Sequence, residues 1–176
     1  GGAGFIGTHT CLVLLQRKYN VKVVDSFVNS NPISLQRVKK ICDLSNIPFN
    51  LQVMKADLRD KSIIDSIFHE AKNSNQPIEG VIHFAGLKSV NESVNNPLAY
   101  WDANLNSSIN LLKVMNKNDC RTIVFSSSAT VYGFSENKYF KEIDYLSPIN
   151  PYGHTKLAIE NLLRNLYNSS PENWKV

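Results

Sequence analysis

The chain has few of the residues and patterns that mark several large classes of protein. Its 176 residues include only three cysteines, Cys11, Cys42 and Cys120, whose odd number and spacing are typical of neither a zinc site nor a disulfide framework. We interpret them as the reduced thiols of a cytoplasmic protein. The four histidines are dispersed along the chain, and we interpret them as surface or packing residues. We therefore predict that no metal is bound.

Long apolar runs and long runs of one charge are also missing. No segment approaches the length of apolar sequence that spans a bilayer, so we expect no membrane partner. The net charge of +4 comes from 19 basic and 15 acidic residues scattered along the chain, which does not favour nucleic acid binding. With 43% apolar residues the length suits one well-buried domain, and we predict a single domain over residues 1–176.

What the sequence does contain is a regular alternation of short apolar runs and segments of helical period. The runs are strand-length and rich in branched residues, at 21–24, 51–54, 81–84 and 122–125. Alternation of this kind predicts parallel β-α-β units. Ligands of open parallel sheets bind at the carboxyl ends of the strands, so we expect the functional residues to follow these runs.

Capping signals predict where the helices begin. Asp60 precedes one apolar helical face, formed by Ile63, Ile64, Ile67, Phe68 and Ala71. Asn96 and Pro97 precede a second face, which we expect to be core, formed by Leu98, Trp101, Leu105, Ile109 and Leu112. A last helix is predicted from Asn150 and Pro151 to about Asn168, and a long loop over a site from Gly133 to Ile149.

The chain opens with a glycine-rich turn, Gly-Gly-Ala-Gly-Phe-Ile-Gly. Its spacing is typical of a turn that leads into a helix and presents backbone N–H groups to a pyrophosphate. Asp25 ends the next apolar run 18 residues after Gly7, near the spacing at which a carboxylate binds an adenosine ribose. A carboxylate there repels a 2′-phosphate and favours NAD over NADP, although Asp25 could instead cap a helix or lie in a solvated turn. Asp57 would lie near the adenine, or could cap the next helix.

A tyrosine and a lysine four residues apart indicate acid–base chemistry. Tyr152 and Lys156 share one face of the last predicted helix. A phenol is a poor base at neutral pH, but a neighbouring ammonium favours the phenolate, which could accept a proton from a substrate hydroxyl. Ser128 follows the preceding strand and could hydrogen-bond the same hydroxyl. An exposed helical pair is the alternative interpretation of this spacing.

Four motifs together resemble the extended short-chain dehydrogenase/reductase family, and within it the UDP-glucose 4-epimerases. They are the glycine turn at 1–7, His83-Phe-Ala-Gly-Leu-Lys88, Ser126-Ser-Ser-Ala-Thr-Val-Tyr-Gly133 and Pro151-Tyr-Gly-His-Thr-Lys156. The resemblance covers essentially the whole chain. It implies an α/β fold with a Rossmann-like, doubly wound parallel sheet, from which the first strand and the C-terminal substrate domain are missing, so that the domain is incomplete at both ends.

The resemblance also implies a role for individual residues. Tyr152, Lys156 and Ser128 become the catalytic group, and Lys88, Ser128 and Tyr152 contact the substrate. Ala103 departs from the pattern, since some relatives have a cofactor-binding asparagine there. The residues assigned to NAD are Gly1, Gly4, Phe5, Ile6, Gly7, Asp25, Asn29, Ser30, Asp57, Leu58, Phe84, Ala85, Gly86, Lys88, Tyr152 and Lys156.

The implied activity is the interconversion of UDP-galactose and UDP-glucose through a 4-keto sugar with tightly bound NAD, in galactose metabolism, by a homodimer. A sugar-nucleotide dehydratase is an alternative, although that subgroup has Asp-Glu where this chain has Ala129-Thr130. A non-catalytic NAD-binding or regulatory domain is another, although it would be expected to lose Tyr152 or Lys156. A third is an inactive fragment, and we expect the 176 residues alone to be unstable, to lack activity and to bind NAD weakly.

Overall fold

The computed structural model describes residues 1–134 and 139–176, which form two compact units, 1–58 and 59–176. Each unit contains one pair of parallel strands with helices packed around it. The predicted α/β class with parallel strands is confirmed.

In the first unit, helices and strands alternate as the apolar pattern predicts. The elements are α1 (Phe5–Gln16), β1 (Asn20–Asp25), α2 (Ile33–Leu44) and β2 (Asn50–Lys55). β1 and β2 pair in parallel, with Asn20 opposite Asn50 and Asp25 opposite Lys55. One face of each element contributes to the core of this unit, which contains Ala3, Cys11, Leu15, Val23, Leu35, Val38, Cys42 and Leu51.

The second unit begins with α3 (Lys61–Asn73), β3 (Val81–His83) and α4 (Val90–Asn95). A continuous helical stretch follows, made of α5 (Pro97–Tyr100), a π-helical segment (Trp101–Asn106) and α6 (Ser107–Lys117). The unit ends with β4 (Ile123–Phe125), a 3-10 turn (Ala129–Val131) and α7 (Pro151–Ser169). β3 pairs in parallel with β4, and an isolated parallel bridge joins Thr122 to Lys175.

The predicted helix starts are confirmed. The Asp60 carboxylate accepts hydrogen bonds from the N–H groups of Ser62 (3.0 Å) and Ile63 (3.3 Å), and the Asn150 side chain accepts one from Gly153 (2.8 Å). Asp60, rather than Asp57, therefore caps α3. These caps satisfy backbone donors that the first turn of a helix leaves without intrahelical partners.

The prediction that the face from Leu98 to Leu112 is one continuous core stripe is wrong. The Leu98 side chain is 81% exposed and Trp101 is 37% exposed, whereas Leu111 and Leu112 are buried. The π-helical segment lies between them, and its wider turns rotate the side chains that follow relative to those that precede. The stretch therefore presents different faces to the interior before and after the segment.

The predicted loop from Gly133 to Ile149 lies partly outside the described residues. Residues 133–134 and 139–149 contain neither helix nor strand. Among the residues that the structure describes, no helix is both long and apolar enough to cross a membrane, and no group of three or more His, Cys, Asp or Glu side chains could hold a metal ion.

All three cysteines are free thiols and all three are buried. Burial raises the pKa of each thiol, in the case of Cys11 to about 11. The uncharged, unreactive form of each cysteine is therefore favoured at neutral pH.

Candidate active site

In the first unit, the glycine turn opens directly into α1. Gly4 is the N-cap residue and has no side chain to occupy the N-terminal N–H groups. A Cβ atom at Gly7 would lie 2.6 Å from the carbonyl oxygen of Gly1 and 2.7 Å from the Cα atom of Gly2. Only glycine allows this close approach, which folds the turn over the start of the helix. Phe5 and Ile6, in the first helical turn, are exposed.

Asp25 ends β1 and organises the backbone around it. One carboxylate oxygen accepts a hydrogen bond from the Ala3 N–H (2.9 Å), and the other accepts from the Phe27 N–H (2.9 Å) and the Ser30 hydroxyl (2.8 Å). Burial opposes the negative charge of Asp25, and these three hydrogen bonds favour it. Asp25 is therefore a buried carboxylate that holds the surrounding backbone in place. It neither caps a helix nor lies in a solvated turn.

The other cofactor residues predicted in this unit have simpler surroundings. Ser30 reaches Asp25 directly, and Asn29 is exposed beside it. Asp57 and Leu58 follow β2 and are half-buried. The structure therefore groups the glycine turn, Asp25 and Ser30 at the carboxyl end of β1.

In the second unit, the predicted cofactor segment 84–88 follows β3 as a loop. Gly86 has φ +155°, and a Cβ atom there would lie 2.9 Å from Oδ1 of Asn104. Leu87 is held at both backbone groups, since its N–H donates to Asn104 Oδ1 (2.7 Å) and its carbonyl accepts from Asn104 Nδ2 (3.0 Å). Phe84, Ala85 and Gly86 are half-buried and Lys88 is exposed.

Asn104 is a site residue that the sequence reasoning missed. It lies in the π-helical segment, is 1% exposed, and its Nδ2 also contacts Thr155 Oγ1 at 3.0 Å. The Thr155 hydroxyl in turn donates to the carbonyl oxygen of Tyr152 (2.7 Å). One buried side chain thus links the 84–88 loop to the first turn of α7. A polar residue within an apolar helical pattern was the signal available in the sequence.

His83, at the end of β3, is a packing residue, as the sequence predicts. Its Nε2 lies 2.9 Å from Ser108 Oγ, and the Ser108 hydroxyl donates to the Asn104 carbonyl oxygen at 2.6 Å. Because that hydroxyl has one proton, Nε2 of His83 must donate to it. Complete burial and the charge of Lys156 lower the pKa of His83 to about 3, so the ring is neutral.

Ser128 lies at the N-cap of the 3-10 turn. Its Oγ accepts hydrogen bonds from the Thr130 N–H (3.3 Å) and the Thr130 hydroxyl (3.0 Å). The side chain is half-buried. Its position directly after β4 agrees with the expectation that functional residues follow the strands.

Tyr152 lies in the first turn of α7 and is almost buried, with 9% of its surface exposed. Its N–H donates to the buried Ser93 hydroxyl of α4 (3.2 Å), and its ring packs edge-on against Tyr100 with centroids 6.4 Å apart. These contacts fix the backbone and the ring of Tyr152 at the start of α7.

Gly153 allows α7 to approach the 3-10 turn. A Cβ atom there would lie 2.7 Å from the Thr130 carbonyl oxygen and 2.9 Å from Cβ of Pro148. Because neither neighbour can move freely, only glycine fits between them. This second residue missed from the sequence holds Tyr152 close to the segment that contains Ser128.

Lys156 is a buried cation, 5% exposed, one turn after Tyr152. Its Nζ donates to the Ser126 carbonyl oxygen (2.9 Å) and lies 4.6 Å from the ring centroid of Phe125 and 5.9 Å from that of Tyr152. Burial lowers the pKa of Lys156 to about 8, against the opposing effect of Glu160. The structure therefore brings Tyr152, Lys156 and the Ser126–Ser128 segment together in the second unit.

Comparison with protein families identifies the class to which this arrangement belongs. A family model described as GDP-mannose 4,6 dehydratase matches residues 1–173. The chain belongs to this family.

Among individual relatives, the chain is similar to UDP-glucose 4-epimerases. It is 48% identical over its full length to UDP-glucose 4-epimerase 1 of Oryza sativa subsp. japonica, and 46% identical to UDP-glucose 4-epimerase of Bacillus subtilis. The solved UDP-glucose 4-epimerase of Bifidobacterium longum, in complex with NAD+ and UDP, matches 98% of the chain with a TM-score of 0.88 and 42% identity. The resemblance indicated by the four motifs is confirmed.

The chain covers 48% of the rice protein, 49% of the Bacillus protein and 49% of the Bifidobacterium chain. It therefore spans about half the length of the relatives that it matches.

Proposed function

We propose that the protein to which this chain contributes is an NAD-dependent UDP-glucose 4-epimerase that interconverts UDP-galactose and UDP-glucose. The observation that carries the proposal is the placement of the buried Lys156 ammonium beside Tyr152 and the end of β4. The arrangement places a positive charge next to the phenol that would exchange a proton with a sugar hydroxyl.

In the first unit, the glycine turn fits the phosphates of a dinucleotide. At the start of α1, glycines leave backbone N–H groups uncovered by side chains, and the first turn contains no acidic residue to repel a phosphate. In the second unit, Gly86 gives the loop a backbone path that a side chain would block. We assign to NAD the sixteen residues that the resemblance implies, with Asp25 at the adenosine ribose.

In the proposed reaction, NAD held by these residues would supply the hydride acceptor for oxidation at C4 of the sugar and the hydride donor for reduction from the opposite face. Tyr152 removes the proton of the 4-hydroxyl as C4 is oxidised and gives it back after the ketone has turned over. Ser128 orients that hydroxyl from the end of β4. Lys156 holds a positive charge beside the Tyr152 ring.

Two observations favour an epimerase over a dehydratase of the same family. Dehydration needs an acid beside the sugar to expel water, and the 3-10 turn begins with Ala129 and Thr130, neither of which can supply a proton of that kind. The individual relatives named above are epimerases. We assign the protein to galactose metabolism in the cytoplasm, with a UDP-sugar as its substrate and Lys88 among the residues that contact it.

We also propose that the protein is a homodimer. Val94, Leu98 and Trp101 are exposed by 60%, 81% and 37%, respectively, in successive parts of α4, α5 and the π-helical segment. Apolar side chains grouped in this way are typical of a surface that a partner covers. A second copy would pair the same surface across a two-fold axis.

Replacing Tyr152 with Phe tests the proposed chemistry. A version of the protein that spans the full length of its relatives should convert UDP-galactose to UDP-glucose, and Tyr152→Phe should lower kcat by about 10² or more with little change in UDP-sugar affinity. Steady-state kinetics and calorimetry measure these quantities.

Tyr167→Phe is the matched control, because Tyr167 lies on the same helix and is 45% exposed. It should keep wild-type turnover. Near-normal turnover in Tyr152→Phe would show that another residue is the base, and a wild-type protein without any conversion would reject the epimerase proposal.

A further inference from the structure

Beyond the residues assigned so far, we propose that Glu160 is a positioning residue that keeps the Lys156 ammonium charged and aligned, with Ser127 holding the Glu160 carboxylate in place. The kinetic consequence of this proposal rests on the proposed epimerase function. Its electrostatic part concerns Lys156 alone and can be measured without turnover.

The geometry consists of two parallel links between α7 and the end of β4. Lys156 donates a hydrogen bond to the carbonyl oxygen of Ser126 (2.9 Å), and the hydroxyl of the next residue, Ser127, donates to Oε1 of Glu160. Lys156 and Glu160 are one helical turn apart and therefore lie on the same face of α7. The two links flank the backbone that leads directly to Ser128.

Lys156 needs a source of negative charge because its surroundings are largely apolar. Facing it are the Phe125 ring and the Ser126 carbonyl group from β4, the Tyr152 ring from α7, and His83 from β3, which is neutral. No carboxylate of a described residue forms a direct ion pair with Lys156. Glu160 is the carboxylate on its own helix, and it raises the pKa that burial has lowered.

The Ser127 hydroxyl explains why a half-buried glutamate stays in this position. A hydroxyl that donates to a carboxylate restricts the rotamers of that side chain. Glu160 is thereby kept from turning towards solvent, where water would screen its effect on Lys156.

The loss of the Glu160 charge should affect the reaction mainly above neutral pH. If Lys156 loses its proton at a lower pH, Tyr152 loses the neighbouring cation under conditions in which the wild-type protein keeps it. The reaction should then fail at a lower pH, with little change where Lys156 is still protonated in both proteins.

Glu160→Gln tests this, because glutamine can still accept the Ser127 hydrogen bond but carries no charge. We would titrate the complete protein, as isolated and labelled with 13C at lysine Cε, by NMR, and assign the Lys156 signal by its absence in Lys156→Arg. In Glu160→Gln the pKa of Lys156 should fall by about 1 unit. The alkaline limb of the kcat profile should move to lower pH by the same amount, while kcat near pH 6.5 changes less than about twofold.

Two further variants make the test decisive. Ser127→Ala removes the anchor but keeps the charge, and should move the Lys156 titration in the same direction by a smaller amount. Glu70→Gln removes one negative charge from the exposed face of α3, on a different helix from Lys156. It should leave the Lys156 titration unchanged.

An unchanged Lys156 titration in folded Glu160→Gln would overturn the proposal. So would a loss of kcat that is equal at every pH, which would indicate a structural role only. If Glu160→Gln does not fold, as judged by circular dichroism, an unchanged titration in Ser127→Ala overturns it. A wild-type protein without epimerase activity would reject the proposed function, and the NMR titration would still test the role of Glu160.

Discussion

At the scale of the residue, Asp25 combines two tasks. Its carboxylate is 6% exposed and fixes the backbone at Ala3 and Phe27, so it helps to shape the glycine turn. It also places a negative charge at the carboxyl end of β1, where the ribose of a dinucleotide would lie. The same side chain therefore shapes the glycine turn and, in the proposed function, selects the dinucleotide.

We expect the complete protein to bind NAD at least tenfold more tightly than NADP, a difference of about 1.4 kcal/mol. The physical reason is repulsion between the Asp25 carboxylate and a 2′-phosphate in a poorly solvated position. Calorimetric titration with both cofactors measures the difference. Binding of AMP and of adenosine 2′,5′-bisphosphate is a control, since the preference should persist without the nicotinamide half. Equal affinities would contradict the role assigned to Asp25.

At the scale of the element, the helical stretch from Pro97 to Lys117 holds the second unit together through its π-helical segment. Asn104 in that segment bonds the 84–88 loop through Leu87 and α7 through Thr155, and Ser108 in α6 connects the same segment to His83. The loop that we assign to NAD and the helix that contains Tyr152 are therefore positioned by one side chain.

Asn104→Ala should lower the free energy of unfolding by about 2–4 kcal/mol, because it leaves the N–H and carbonyl groups of Leu87 without partners and removes a buried hydrogen bond to Thr155. Urea denaturation of the complete protein measures this change. Asn106→Ala is the matched control, because Asn106 lies in the same segment, is exposed and contacts Asp102. That variant should differ from wild type by less than about 0.5 kcal/mol. Equal effects of the two substitutions would argue against the network.

The elements themselves were largely predictable from sequence. Asp60 and Asn150 cap helices through N–H groups two or three residues away, and apolar runs locate the strands, so both signals are local. The π-helical segment at Trp101–Asn106 was not predictable. Which side chains of this helical stretch are buried depends on packing against other elements.

Within the second unit, the side chains that the motifs single out lie together in the structure, whereas the residues that support them were not predictable. Asn104 contacts Thr155, which is 51 residues away, and Ser127 contacts Glu160, which is 33 residues away. Gly153 is required by the Thr130 carbonyl group, which lies far from it in the sequence. Partners at such separations are known only once the chain is folded.

At the scale of the whole molecule, the exposed apolar residues of the second unit should be covered by a second copy. Light scattering of the complete protein at micromolar concentration should give the mass of a dimer, and Leu98→Glu should shift it towards the monomer, since a buried, unpaired carboxylate is costly. Leu44→Glu is the control, because Leu44 is 75% exposed on α2 and lies outside the proposed interface. A wild-type monomer would contradict the proposal.

The three buried cysteines can report how often the structure around each of them opens. Cys11 and Cys42 lie in the first unit and Cys120 in the second, and a thiol with a raised pKa inside a packed core is protected from alkylation until the surrounding structure opens. The labelling rate at each position is then the product of an opening equilibrium and an intrinsic rate. Mass spectrometry of a timed alkylation would read the opening free energy of each unit separately, without any engineered probe.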